Sequence, residues 1–330
     1  MRRFEYQRAS DIAESVRLAG QPGTRLLGGG TNLVDLMKCG VERPATLLDL
    51  TRINGLDQIY VDSSRMLIGS LARMSAVADH PEIMRLAPAI SESLWRAASA
   101  QIRNMATLGG NVLQKTRCSY FRDATGNAQC NKRSPGSGCA ALRGINRNHA
   151  VLGTSESCIA VYPGDFAVAL AAFDGQIHIQ GQQLRVVRAE DFFRAPGGTP
   201  DVENDLRAGE VITAIEIPVT PALQSSHYLK VRDRASYEFA AASAAAGVEL
   251  ENDGQTIKEV RIALGGVATK PWRLRDVETS LIGQHFTEPV IRQAAMRATD
   301  GAQVYEHNAY KIALIPRVVT RALLQARRSA

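Results

Sequence analysis

A chain of 330 residues is long for one compact domain and ample for two or three, so a large core can form without disulfide staples. Hydrophobic residues make up 45% and charged residues 22%, near the globular average, which excludes a disordered tail, a collagen-like repeat or a low-complexity array. The net charge of +6 permits an anionic partner without demanding one, and the most apolar stretch, 239–248, is mostly alanine and too short to span a membrane.

Taken in chain order, Met1-Arg2-Arg3-Phe4 resembles a twin-arginine export signal. The residues that follow, 5–11, provide no apolar core, so no targeting peptide of the chain's own is expected. Residues 1–55 read as a small β-α-β-α-β unit, with strands at 3–6, 25–27 and 46–50 and helices at 10–19 and 32–38. Ser10 is the expected N-cap of the first helix, and Gly20 followed by Pro22 closes it. A second α/β section, 56–220, opens with a hairpin of 58–61 and 66–68 and continues with helices at 74–87 and 89–98. The glycine- and cysteine-rich stretch 108–164, with an insert at about 114–160, shows little periodicity and reads as either a structured insert or a disordered loop. The pattern resumes with a helix at 166–173, a strand at 176–179, a loop at 196–200 and a strand at 211–217. Residues 221–330 carry three strands (228–231, 241–250, 259–264) and then three helices (274–281, 289–299, 315–328), the order of a separate α+β domain.

Two glycine segments carry the first chemistry. Gly28-Gly29-Gly30-Thr31-Asn32 lies between a strand and a helix, where bare backbone N–H groups and a helix N-terminus favour phosphate. Leu33 stands where the dinucleotide fingerprint needs glycine, and no Gly-Lys-Ser or Gly-Lys-Thr follows, so neither a Rossmann nor a P-loop site is read. A tight turn without a ligand is the alternative. Thr107-Leu108-Gly109-Gly110-Asn111 repeats the makeup, and two such turns converging would grip a diphosphate with help from the Thr31 and Thr107 hydroxyls and Asn111. Asp165 reads as an acceptor for a sugar-chain hydroxyl or as the N-cap of the helix after it.

Four cysteines, Cys118, Cys130, Cys139 and Cys158, fall within 41 residues with no C-x-x-C pair, which demotes zinc. A 4Fe-4S cluster is the preferred reading, with zinc, disulfides or unliganded thiols as the alternatives. Eight Arg or Lys against the lone acid Asp123 between residues 99 and 150 suggest something negative there, and an anionic cluster fits. Cys39 reads as a small packing side chain, and none of the six histidines is assigned to a metal. No Ser-His-Asp set or nucleophile elbow stands out, so no catalytic residue is named.

These motifs, together with Gly265-Gly266-Val267-Ala268-Thr269-Lys270-Pro271, resemble the FAD-binding subunits of the xanthine dehydrogenase and molybdenum hydroxylase family, essentially end to end. Residues 117–121, 130–142 and 230–237 are similar to the flavin subunits of bacterial periplasmic aldehyde oxidoreductases within it; Gly28, where that type has alanine, is the departure. The resemblance implies a vanillyl-alcohol-oxidase-type FAD fold of two α/β subdomains plus a C-terminal α+β domain of the CO dehydrogenase flavoprotein type. It implies that Arg25, Leu26, Leu27, Gly28, Gly29, Gly30, Thr31, Asn32 and Leu33, with Ala106, Thr107, Gly110 and Asn111, hold FAD, that Asp165 takes a sugar-chain hydroxyl, and that Ile212 and Lys230 border the flavin. Lys230 also reads as a solvated cation at a strand end. The four cysteines would hold the 4Fe-4S cluster. The implied partners are a molybdopterin-binding large subunit carrying the aldehyde site and a 2Fe-2S small subunit, with an external electron acceptor at FAD. The chain would fold in the cytoplasm and be exported to the periplasm with a signal-bearing partner, or remain cytoplasmic. The rival functions are a stand-alone FAD oxidase or reductase, and a basic iron-sulfur or zinc protein that binds nucleic acid; the latter has only Tyr120 and Phe121 for stacking.

Overall fold

The computed structural model describes residues 1–126 and 128–328. Its first sheet is parallel, in the order β1 (Glu5–Arg8), β3 (Thr46–Asp49), β2 (Thr24–Leu27), with α1 (Ile12–Ala19) and α2 (Leu33–Lys38) as crossovers. Asp11 rather than Ser10 caps α1: its carboxylate accepts from Glu14 N, while Ser10 turns back to bond Glu14. Leu48, Leu50, Ile53 and Leu56 form a small core closed on its far side by Leu71 and Val211, so this sheet is stabilised by leaning on the next.

The second sheet is antiparallel, in the order β4 (Ile59–Val61), β5 (Arg65–Gly69), β8 (Val211–Pro218), β6 (Gln176–Gln180), β7 (Leu184–Arg188). The stretch expected as one helix over 74–87 is two, α3 (Met74–Ala78) and α4 (Pro81–Leu86), because Pro81 cannot continue α3; α5 (Pro88–Trp95) begins at the next proline. Two short helices, α6 (Ala100–Met105) and α7 (Leu108–Val112), follow, and α7 absorbs the second glycine pair, which was expected as a turn. The described part of the insert is ordered, with α8 (Ser119–Arg122) and a 3-10 turn at Ala140–Leu142. Helix α9 (Phe166–Ala172), buried along its whole length, backs the five-stranded sheet, and α10 (Ala189–Phe192) follows β7.

After α11 (Pro221–Gln224) comes an antiparallel sheet of four strands rather than three, ordered β12 (Trp272–Arg273), β11 (Ile257–Gly265), β10 (Ala242–Leu250), β9 (Ser226–Val231). The alanine-rich β10 is covered on both faces. Ala244, Ala246 and Val248 join the core beneath α12 (Arg275–Leu281), α13 (Glu288–Ala295) and α14 (Tyr310–Arg328), whereas Ala245 joins the core behind the five-stranded sheet with α9 and Tyr228. Alternation along one strand therefore feeds two cores, and small side chains let both approach. Helix α14 starts at Tyr310, five residues before the expected 315, and carries Pro316 inside it.

Candidate functional site

The two glycine segments meet. A methyl group at Gly29 would lie 2.7 Å from the Met105 carbonyl carbon and 2.9 Å from Ala106 Cα, with the Met105 oxygen closer still, so only glycine lets these backbones touch. Gly28 faces the Thr107 hydroxyl, 2.7 Å from where a Cβ would stand. Gly30 has φ +72°, the left-handed turn that sends β2 into α2. On the other side, Thr107 caps α7, its Oγ1 accepting from Gly110 N at 3.3 Å, and Gly109 N donates to Ser70 O at 2.7 Å. Asn32 Oδ1 accepts from Lys115 N at 3.0 Å, which ties the first turn to the start of the insert.

Both segments line one cavity of about 1390 Å³, larger than most small-molecule sites. Arg25, Leu26, Gly28 to Leu33, Ala106, Thr107, Gly110, Asn111 and Asp165 all border it. Its wall holds buried polar atoms without partners: Asn32 Nδ2, Asn111 Oδ1, Arg117 Nε, Arg122 Nη1 and His149 Nδ1. A donor and an acceptor left over on the two asparagines that end the glycine segments suit a bound polar group. Leu27, Ile212 and Lys230 are not in the wall. Leu27 ends β2 just before the turn, Ile212 lies in the core of the five-stranded sheet, and Lys230 stands behind Asp165.

Asp165 stands at the N-cap position of α9, but its side chain makes no cap bond: its Oδ1 accepts from Tyr228 OH at 2.7 Å and its Oδ2 from Lys230 Nζ at 2.8 Å. Lys230 is thus no solvated cation; its side chain is 1% exposed, and its amine also reaches Arg96 O. Burial pushes the Asp165 carboxyl above the ordinary range, and Lys230 and Tyr228 oppose that rise without cancelling it. Tyr228, on the strand face turned toward α9, is a site residue the sequence reading did not single out; its spacing of two from Lys230 was the available signal.

All five cysteines are free thiols, which removes the disulfide alternative. Cys130 and Cys139 are cross-strand partners in a short loop ladder, held by Asn131 N to Gly138 O (2.7 Å) and by Gly138 N to Asn131 Oδ1 (2.8 Å). Gly136 and Gly138 take φ +84° and +98° there. Burial pushes the Cys118 thiol up to about 12, with backbone amides of Phe121 and Tyr120 opposing and the nearby Cys130 and Cys158 adding to the rise. Cys158 is raised by burial against the pull of Lys132, with Cys139 and Cys130 again contributing. Charge on Cys130 thus influences both Cys118 and Cys158; Cys130 and Cys158 are buried, Cys118 and Cys139 only partly so. No group of three or more His, Cys, Asp or Glu among the described residues is placed to hold a metal ion. Cys39, expected as an isolated packing residue, receives Arg122 Nη2 at 3.6 Å. His149, assigned no role from sequence, places Nε2 3.2 Å from Cys118 Sγ.

The basic surplus is largely consumed within the chain. Arg117 and Arg122 pair with Asp35, Lys115 and Lys132 clasp Glu203, Arg147 reaches Asp233, and Arg103 and Arg133 donate to backbone carbonyls. Burial raises Glu203, but the two lysines overcome it and hold the carboxylate below its usual range. A continuous basic face for nucleic acid is therefore not what these cations build.

The family model described as the FAD binding domain in molybdopterin dehydrogenase matches residues 2–220, and that of the CO dehydrogenase flavoprotein C-terminal domain matches residues 227–326. The chain is 42% identical over 340 aligned positions to the aldehyde oxidoreductase FAD-binding subunit PaoB of Escherichia coli (strain K12), covering 100% of both. It is 28% identical to the carbon monoxide dehydrogenase medium chain of Hydrogenophaga pseudoflava, over 97% of this chain and 96% of that one. Among solved structures, carbon monoxide dehydrogenase from Hydrogenophaga pseudoflava superposes with a TM-score of 0.77 at 24% identity, covering 100% of this chain and 99% of that one. Quinoline 2-oxidoreductase from Pseudomonas putida 86 gives 0.76 at 21%, covering 100% and 98%; at these identities the likeness establishes the fold.

Proposed function

This chain belongs to the FAD-binding subunits of the molybdenum hydroxylase family, and from that premise we propose that it is the electron-transferring flavin subunit of a heteromeric aldehyde oxidoreductase. FAD lies in the cavity between the two glycine segments, and a 4Fe-4S cluster sits on Cys118, Cys130, Cys139 and Cys158. The observation that carries the reading is the contact of Gly29 with the 105–106 backbone, which closes both segments on one cavity whose wall leaves Asn32 Nδ2 and Asn111 Oδ1 buried and unpaired.

Bound FAD joins one-electron iron-sulfur relays to two-electron acceptors. The chain's own residues bind and orient it. Backbone N–H groups of the glycine segments and the two asparagine side chains suit the diphosphate. Asp165, steadied by Lys230 and Tyr228, keeps lone pairs for a sugar-chain hydroxyl. Four cysteines are the ligand number of a 4Fe-4S cluster, and their grouping in the sequence of the insert is what supports this part of the reading; among the described residues no group of three or more His, Cys, Asp or Glu is placed to hold a metal ion. Residues 1–55, 56–220 and 221–330 correspond in this reading to the two FAD subdomains and the C-terminal domain. A molybdopterin-binding large subunit and a 2Fe-2S small subunit supply electrons, aldehyde is oxidised on the large subunit, and an external acceptor collects electrons at FAD. Co-export with a signal-bearing partner places the complex in the periplasm.

Purification of the chain alone and then with its partner subunits tests this. By itself the chain should show a flavin spectrum that aldehyde leaves unbleached, and aldehyde should bleach it once the molybdenum subunit is present. Aldehyde-driven bleaching of the solitary chain would refute the division of labour.

A further inference from the structure

Ser243 brings a buried hydroxyl to the flavin cavity: the residue borders the cavity and is 1% exposed. Along β10 it shares the strand face of Ala245, the face that packs with α9 rather than with the C-terminal helices. Directly across from it stand Lys230 on β9 and Gly265 on β11. Glycine at the second of these positions leaves the hydroxyl room, since a Cβ at Gly265 would lie 2.6 Å from Ser243 Oγ.

The hydrogen bonds around it fix which way its own hydrogen points. The Tyr228 hydroxyl oxygen lies 2.7 Å from Asp165 Oδ1 and 2.9 Å from Ser243 Oγ, yet a phenol has one hydrogen to give. Asp165, paired with the Lys230 ammonium at 2.8 Å, is a carboxylate and only accepts, so the Tyr228 hydrogen goes to it. Ser243 is then the donor in the second bond, and its hydrogen is spent on the Tyr228 oxygen. The chain from Ser243 through Tyr228 to Asp165 runs in one direction, each bond polarising the next. Ser243 Oγ keeps its lone pairs, with no further hydrogen bond among the described residues. A buried acceptor at a cavity wall calls for a donor from whatever fills the cavity.

We propose that Ser243 is a cofactor-binding residue, its Oγ accepting from a hydroxyl of the cofactor's sugar portion beside the one taken by Asp165. Both acceptors hang on a single Tyr228 oxygen and so sit side by side. Vicinal hydroxyls match such a pair, because they present two donors on adjacent carbons, each free to rotate onto its acceptor. The diphosphate, by contrast, has only acceptors to offer. The ribityl chain and the ribose of FAD share this chemistry. The inference deepens the reading that FAD fills the cavity and rests on it.

The test titrates deflavinated protein, as wild type, Ser243→Ala and Ser243→Cys, with FAD and with FAD analogues that each lack one ribityl or one ribose hydroxyl, followed by flavin fluorescence. Cysteine keeps the shape of serine but accepts weakly, and thermal unfolding of the cofactor-free variants reads folding separately. Both variants should bind FAD roughly 2- to 12-fold more weakly than wild type, the worth of one hydrogen bond. The analogue without the partner hydroxyl should bind wild type more weakly by a similar factor, and should bind Ser243→Ala as well as FAD does. Which analogue behaves this way identifies the ribityl chain or the ribose as the source. Wild-type affinity for FAD in both variants overturns the proposal, and so does a Ser243→Ala protein that discriminates against every analogue as wild type does. Wild-type protein that takes up no FAD would instead defeat the cofactor reading, and this inference with it.

Discussion

Substituting Gly29 by alanine probes the contact on which the cofactor site depends. The new methyl would stand 2.7 Å from the Met105 carbonyl carbon, against about 3.4 Å for ordinary contact, so the two glycine segments must part by at least 0.7 Å, the difference of those figures. The obstacle is backbone and cannot swing aside. Hydrogen bonds to a charged group contribute roughly 1.5–3 kcal/mol each. Stretching one or two of them at the diphosphate would weaken FAD binding by about 2–4 kcal/mol, or roughly 30- to 700-fold in the dissociation constant. Overpacking adds about 1–3 kcal/mol of lost stability. Gly28→Ala is the milder comparison: its methyl meets the Thr107 side chain and no backbone, the hydroxyl at 2.7 Å and Cγ2 at 3.6 Å, and less than about a tenfold loss is expected. Fluorescence titration of FAD into deflavinated protein reads both, alongside thermal unfolding. Gly29→Ala binding FAD as tightly as wild type would refute the convergence of the two segments on the cofactor.

Three further outcomes follow from buried charges. Lys230→Met strips Asp165 of its cation and should lower stability by about 3–5 kcal/mol, whereas adding Asp165→Asn should restore much of it; denaturant unfolding of the single and double variants that gave equal midpoints would remove the pair from the account. Glu203→Gln leaves Lys115 and Lys132 facing each other without their shared carboxylate, and a loss of about 2–4 kcal/mol is expected, read as earlier proteolysis within 114–160; cleavage at the wild-type rate would contradict the clamp. Lys311, fully buried with its amine on Gly266 O at 2.5 Å, is pushed down to about 7 by burial and by Arg147. Because the folded state holds this proton less well than the unfolded chain, whose lysine titrates near 10.5, the penalty is full below about pH 7 and is relieved as pH rises toward 10.5. At its largest it amounts to roughly 3–5 kcal/mol. Lys311→Met should therefore flatten the pH dependence of the melting temperature between pH 7 and 10, and an unaltered slope would show that Lys311 is not its source.

Much of the fold was legible where periodicity is strong. The three β-rich sections, the hairpin before α3 and the closing helices all stand close to where alternation and helical spacing put them. The misreadings have local causes. Pro81 divides what apolar spacing joined, and Asp11 caps α1 because it sits one residue nearer the first turn than Ser10. The insert defeated periodicity because its order is long-range: Lys132 reaches Glu203, Asn146 reaches His307, and Arg133 gathers three carbonyls of its own segment. The glycine pairs announced a phosphate-sized opening through composition alone, yet that they press on each other depends on a backbone approach no spacing encodes. Reading the eight cations of 99–150 as a sign of an anionic ligand overlooked Asp35 and Glu203, acids far away in sequence that take up four of them. His149 escaped notice since its partner Cys118 is 31 positions distant and no motif links the two.

The most direct measurement is a count of flavin and iron in the purified chain, taken with its absorption spectrum before and after reduction. About one FAD and about four iron atoms per chain are expected, with the iron lost together with the thiols when Cys118, Cys130, Cys139 and Cys158 are replaced by serine and the flavin retained. A folded chain that takes up neither, even when produced beside its partner subunits, would contradict the site as a whole, and one that holds FAD but no iron would contradict the cluster.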